Sequence, residues 1–311
     1  MNNPKVEISV VIPTYNGEKY IEQTVQSALS ITSHPLDILV VDDGSTDNTA
    51  ELMKPYLDRV RYIQKENGGP ASARNLGVKE AYGEFIAFLD GDDLWQPEKF
   101  EKQMPLFDDP EVALVYAEGP AIDENNNPLE HDSGLPKPKI KGQVFEQLFA
   151  NNVIPTSTVI ARRQAILDAG LFDEDRSLIS VEDYDLWLRI AAASKFDYVS
   201  DPLTLYRVHS ESISKNHARS YFGEKKVLEK NKELFANRFP QIATSWNQRL
   251  ATLFQELAQE YYTGNNLSEA RKYFRESLKY NFWQPKLWVY ILTTLMGRGF
   301  VSSVRRFKGT H

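Results

Sequence analysis

The run Glu84-Phe85-Ile86-Ala87-Phe88-Leu89 ends abruptly in Asp90-Gly91-Asp92-Asp93. Apolar residues without polar alternation predict a strand buried on both faces. Such a strand belongs inside an α/β sheet that helices cover on both sides. Gly91 lets the backbone turn and approach a ligand closely. Asp90, Asp92 and Asp93 are then left at the strand's carboxyl end, where open α/β sheets bind ligands. Clustered carboxylates repel one another, so a positive charge is expected among them. Hard oxygen donors suit Mg²⁺ or Mn²⁺, which usually also hold a substrate phosphate. The competing reading is a solvated acidic turn before a helix starting at Trp95-Gln96-Pro97-Glu98.

Other strand ends repeat the pattern. Ile8-Ser9-Val10-Val11-Ile12 runs into Pro13-Thr14-Tyr15-Asn16-Gly17, and Asp37-Ile38-Leu39-Val40-Val41 into Asp42-Asp43-Gly44-Ser45-Thr46-Asp47. Each is a short apolar run closed by turn formers. Tyr20, Ile21, Val25, Ala28 and Leu29 recur between them at helical spacing. A third run, Val60-Arg61-Tyr62-Ile63, leads to Asn67-Gly68-Gly69-Pro70, where Pro70 suits the first turn of a helix carrying Arg74. Alternating strand and helix predict a parallel sheet with right-handed crossovers, its unusual chemistry on one edge.

On that edge Asp43 is read as an acceptor for a base or ribose, or as an Asx-turn or helix cap. Tyr15 is read as a stacking platform or an ordinary half-buried tyrosine. The Gly68-Gly69 loop offers amides to an anion. Arg74 offers a forked pair to a diphosphate, against the plainer use of a surface salt bridge. Neither a Gly-x4-Gly-Lys-Ser/Thr loop nor a Gly-x-Gly-x2-Gly turn occurs.

Four strings in order carry a family resemblance: Val10-Val11-Ile12-Pro13-Thr14-Tyr15-Asn16, Val40-Val41-Asp42-Asp43-Gly44-Ser45-Thr46-Asp47, Asn67-Gly68-Gly69-Pro70-Ala71-Ser72-Ala73-Arg74-Asn75 and Phe88-Leu89-Asp90-Gly91-Asp92-Asp93. Over residues 5 to 215 the chain resembles a family 2 glycosyltransferase of the GT-A fold, with a Rossmann-like, mainly parallel sheet flanked by helices. The resemblance implies a nucleotide-sugar site at Pro13, Thr14, Tyr15, Asp43, Gly69, Arg74, Asp90 and Asp92. It implies a metal, Mn²⁺ or Mg²⁺, at Asp92, Asp93 and His209. Val181-Glu182-Asp183-Tyr184-Asp185-Leu186-Trp187 resembles the family's Glu-Asp motif, which makes Asp183 the implied catalytic base with Glu182 in support. Acids in the first turn of a helix also simply complement its dipole. His209, in Tyr206-Arg207-Val208-His209, is implied to contact metal or diphosphate; the plain alternative is a structural histidine. The Gln-x2-Arg-Trp string of processive members is absent, which argues for transfer of one sugar; the resemblance itself implies inversion, with a UDP-sugar donor and a saccharide or lipid-linked acceptor.

The expected organisation is a catalytic domain over 1–215, with a nucleotide-sugar half to about 116 and an acceptor half beyond, followed by a helical region over 216–311. At 311 residues and 41% hydrophobic content the chain can bury a sizeable core. A net charge of −7 argues against nucleic acid as a partner. Without cysteine no disulfide or thiolate metal site exists. Met1-Asn2-Asn3-Pro4-Lys5 is no signal region, and no run of eighteen apolar residues appears, so a cytoplasmic setting is expected. Gly134-Leu135-Pro136-Lys137-Pro138-Lys139 reads as a loop that orders over substrate or as a plain connector.

Two helices meeting at Gly264-Asn265, with Ala270 and Phe274 inward, resemble one tetratricopeptide-like hairpin, which needs a neighbour: the catalytic domain or, in a homodimer, a second copy of the chain. Trp283, Leu287, Trp288, Tyr290, Ile291, Leu292 and Leu295 precede Arg298, Arg305, Arg306 and Lys308. This amphipathic basic tail is read as a peripheral membrane contact or as a helix docked on its own protein. Two other functions remain in view. A nucleotidyltransferase shares the metal-carboxylate logic, but the Glu182-Asp183 string speaks against it. A non-catalytic scaffold would not need every carboxylate in place.

Overall fold

The computed structural model describes residues 6–129, 140–210 and 217–296. Gly134–Lys139 and the basic residues Arg298, Arg305, Arg306 and Lys308 lie outside the described residues. The chain divides into two compact units, Met1–Leu148 with Asn152–Lys215, and Phe149–Asn151 with Asn216–His311.

The apolar runs become the inner strands of the first unit. In chain order these are β1 (Ile8–Thr14), α1 (Ile21–Leu29), β2 (Leu36–Asp42), α2 (Thr49–Met53), β3 (Arg61–Gln64), α3 (Pro70–Glu80) and β4 (Phe85–Phe88). Then follow β5 (Leu94–Trp95), α4 (Lys99–Gln103), β6 (Val112–Glu118), β7 (Ala121–Ile122), α5 (Phe145–Ala150), β8 (Ile160–Arg162), α6 (Arg163–Asp168), α7 (Glu182–Ala191), β9 (Lys195–Pro202) and β10 (Thr204–Arg207). The main sheet runs β3-β2-β1-β4-β8-β6-β9. β1 lies parallel between β2 and β4, with Val10 opposite Ile38 on one side and Ala87 on the other. β8 alone is antiparallel to both neighbours. All four residues of β4 are buried, as a strand covered on both faces requires. Trp95 closes β5, and the helix read from Trp95-Gln96-Pro97-Glu98 begins at Lys99 after its N-cap Glu98.

Helix packing fixes where the loops fall. α3 starts at Pro70 after Gly69, whose φ of 91° only glycine adopts freely. It lies so close to β1 that a Cβ on Gly77 would stand 2.4 Å from Val11 Cγ1. α7 buries Tyr184, Leu186, Trp187 and Leu188. Trp187 meets Phe88 and Phe172 with ring centroids 5.9 Å away in each case. Fully burying an aromatic of that size contributes about 1.5–3 kcal/mol, so the first turn of α7 is firmly held. A second sheet, β5-β10-β7, carries residues 207–209 beside the acidic loop.

The second unit is helical: α8 (His217–Phe235), α9 (Ile242–Thr263), α10 (Leu267–Tyr280) and α11 (Pro285–Leu295). α9 and α10 form a hairpin that turns at Asn265 (φ 61°) and is capped by Asn266, with Ala270 and Phe274 fully buried. α11 buries Leu287 and Ile291 but leaves Trp288, Leu292 and Leu295 exposed, so it is docked on one side only. Among the described residues no helix is long and apolar enough to cross a membrane.

Candidate active site

The carboxyl ends of β1, β2 and β4 meet at one edge. Tyr15, just past β1, is 54% exposed and free to stack on a planar ligand. Asp42, not Asp43, braces this turn, its Oδ1 accepting from Ser45 N three residues on at 2.7 Å. Asp43 does something neither reading anticipated. Its Oδ1 accepts from Lys65 Nζ at 2.7 Å and Gly68 N at 2.9 Å, and its Oδ2 accepts from Gly69 N at 2.7 Å. The amides expected to greet an external anion are therefore satisfied by an internal one. Asp43 keeps unused acceptor capacity on Oδ2, since a carboxylate has about four lone-pair positions. Thr14 O receives Asp43 N at 2.8 Å, which ties β1's exit to this carboxylate.

Arg74 also departs from expectation. It is buried, with Nη1 donating to Glu182 Oε1 and Nη2 to Asp90 Oδ1, both at 2.6 Å. Its two terminal nitrogens thus bridge carboxylates from β4's exit and α7's start. Burial opposes the charge, but Asp90 and then Glu182 outweigh it and raise the guanidinium pKa above its ordinary value. Burial, with repulsion from Asp92 and Glu182, still pushes Asp90 up despite Arg74.

Two of the three expected metal ligands come together: His209 Nε2 lies 2.9 Å from Asp92 Oδ2, with the ring packed on Tyr20. Asp93 does not join them. It is 1% exposed, and its Oδ1 accepts the Arg207 backbone amide at 2.8 Å. Burial and then the Asp92 and Asp90 charges push its pKa well above the ordinary carboxylate range. Asp93 Oδ2 is buried without a hydrogen-bond partner among the described residues, while Asp92 and His209 are the pair that stands together. Among the described residues no three His, Asp or Glu side chains form a metal cluster. A carboxylate oxygen and an imidazole nitrogen side by side could together hold a divalent cation.

The Glu-Asp string opens α7. Glu182 Oε1 takes Arg74 and its Oε2 takes Ser180 N at 2.7 Å, so it has a supporting place. Asp183 accepts from Thr156 Oγ1 at 2.6 Å and from Tyr184 N at 2.7 Å. Burial, then the adjacent Glu182 charge, push Asp183 up to about 6, while Thr156 and Arg74 act to lower it. A carboxylate titrating there is matched to general-base work near neutrality.

Residues outside the sequence reading complete the edge. Arg207, 1% exposed, donates from Nε to Asp92 O at 2.6 Å and from Nη1 to Asn126 Oδ1 at 2.6 Å, with its guanidinium 4.6 Å from the centre of the Tyr20 ring. Ser157 Oγ accepts from Asp90 N at 3.0 Å, one residue from the Thr156 that holds Asp183. The signals were present: an arginine inside a strand needs acceptors, and Pro155-Thr156-Ser157-Thr158 is a polar interruption between apolar residues.

The family model described as Glycosyl transferase family 2 matches residues 9–170. The chain belongs to glycosyltransferase family 2. Among curated proteins it is 30% identical over 222 residues to the putative teichuronic acid biosynthesis glycosyltransferase TuaG of Bacillus subtilis, covering 70% of this chain and 84% of that one. It is 34% identical over 215 residues to an uncharacterized glycosyltransferase of Rickettsia conorii, covering 67% of this chain and 35% of that one. The chain thus spans about a third of that relative's length. The fold is similar to that of S. aureus TarS 1-349 in complex with UDP-GlcNAc, with TM-score 0.57, 19% identity, and 88% and 89% of the two chains covered. It is also similar to the mannosyltransferase PcManGT of Pyrobaculum calidifontis in complex with GDP-Man and Mn²⁺, with TM-score 0.59, 16% identity, and 99% and 89% covered.

Proposed function

We propose that this protein transfers one sugar from a nucleotide-sugar, a UDP-sugar by preference, to a saccharide or lipid-linked hydroxyl acceptor with inversion at the anomeric carbon. The observation that carries the reading is Asp183, held by Thr156 at the start of α7 next to Glu182, which Arg74 joins to Asp90 in the acidic loop. Asp183 would take the acceptor's proton as its oxygen forms the new bond to the anomeric carbon. The bond to the diphosphate oxygen breaks in the same displacement, and the nucleoside diphosphate leaves with the electron pair. Tyr15 would stack on the base, and the free lone pair of Asp43 would accept its N–H. Asp92 and His209 would hold the divalent ion, which when bound neutralises charge on the departing diphosphate.

Family membership, the curated TuaG relative and the fold neighbours holding UDP-GlcNAc and GDP-Man support this reading, and the PcManGT complex with Mn²⁺ supports the metal. A panel of UDP- and GDP-sugars, scored by nucleoside diphosphate release with and without Mn²⁺ in the presence of saccharide acceptors, tests it. Release stimulated by acceptor and lost in Asp183→Asn is expected. Formation of a nucleotide-sugar with pyrophosphate from a sugar phosphate and UTP would favour nucleotidyl transfer instead.

A further inference from the structure

The helical unit ends its described part on an unusual surface. α11 buries Leu287, Ile291 and Thr294 and turns Trp288, Val289, Leu292, Leu295 and Met296 outward, the last four all more than half exposed. The turn before it adds Phe282 and Trp283, which is 84% exposed, and Phe282 packs on Trp288 with ring centroids 5.3 Å apart. The outermost helix of a stacked helical unit normally shows water a polar face. Here that face is apolar and aromatic, with Lys286 at its border.

Charge says what covers it. Six of the 36 Lys and Arg and none of the 43 Asp and Glu fall in residues 277–311, so that segment carries +6 and the rest of the chain −13. A second copy seated face to face on α11 would bring two such cationic segments together. An anionic bilayer surface instead offers apolar depth to the aliphatic side chains, an interfacial zone to the tryptophans and counter-charge to the basic residues. We infer that the exposed face of α11, with Phe282 and Trp283, docks on an anionic phospholipid surface.

The test uses the full chain with phosphatidylcholine vesicles, with and without phosphatidylglycerol. Co-sedimentation with the anionic vesicles, weaker with neutral ones and partly released by high salt, is expected. In a Trp246→Phe background, which removes the one other partly exposed tryptophan, brominated acyl chains should quench the emission of Trp283 and Trp288, because Trp95 and Trp187 are buried. Leu292→Asp with Trp283→Ala should abolish both signals without moving the melting transition, since both side chains are exposed. Should that variant unfold, quenching in the parent decides alone. No sedimentation and no quenching with anionic vesicles would overturn the inference. So would a dimer in sedimentation velocity that the same substitutions dissociate while vesicles are ignored, because the face would then belong to a second copy.

Discussion

Replacing Arg74 by Met would keep the stem and remove the charge that sits between Glu182 and Asp90. Both contacts are 2.6 Å long, and the side chains are 7% exposed for Arg74, 5% for Glu182 and 29% for Asp90. Removing one partner of a buried ion pair costs about 3–5 kcal/mol, because the other charge stays buried and unpaired. Glu182 should account for nearly all of it, since water screens the more exposed Asp90. For a unit of this size that corresponds to a fall in melting temperature of roughly 10 °C. The deficit should be largest near neutral pH. Burial already pushes Asp90 up, and without Arg74 it takes up a proton more readily still, so its share of the penalty shrinks as pH falls through its raised pKa. Asp183 also loses a cation that lowers its pKa, so the acid limb of kcat/KM should move upward from about 6. Urea unfolding over pH, with parallel rate profiles, reads both effects. If the variant melts with the parent and its only defect is weaker nucleoside diphosphate binding, Arg74 serves the diphosphate and the clamp is wrong.

Other outcomes follow from the same geometry. Asp183→Asn should keep nucleotide binding while transfer falls by roughly 10²–10⁴-fold, and the parent's kcat/KM should rise with pH through about 6 as the base loses its proton. Asp92→Ala should abolish Mn²⁺-dependent strengthening of UDP binding in calorimetry. Asp93→Asn should keep that strengthening, because Asp93 serves the Arg207 amide; equal loss in both would return Asp93 to the metal. Gly77→Ala should cost about 1–3 kcal/mol in urea unfolding by forcing α3 off β1 at Val11, and an unchanged midpoint would show that the contact yields freely.

The strands were legible because each is a short apolar run cut off by turn formers, and burial on both faces leaves that run no other use. The acid loop was legible for the same reason, since Asp90, Asp92 and Asp93 break the pattern where β4 ends. What each carboxylate touches was not. Asp43 finds its partners more than twenty residues downstream at Lys65, Gly68 and Gly69, and Arg74 finds Glu182 more than a hundred residues away. Local sequence carries no record of such pairings. Asp92 and Asp93 are neighbours, yet the first lies beside His209 and the second accepts from the Arg207 amide. On α11 Leu287 and Ile291 are buried while Leu295 is exposed, a division that the unbroken apolar run of the tail did not mark.

The most direct test of the central claim is the anomeric configuration of the product, read by proton NMR during turnover of an α-linked UDP-sugar. Single displacement with Asp183 as base predicts a β-linked product from the parent and none at a comparable rate from Asp183→Asn. An α-linked product, or a β-linked product formed by Asp183→Asn at the parental rate, would contradict it.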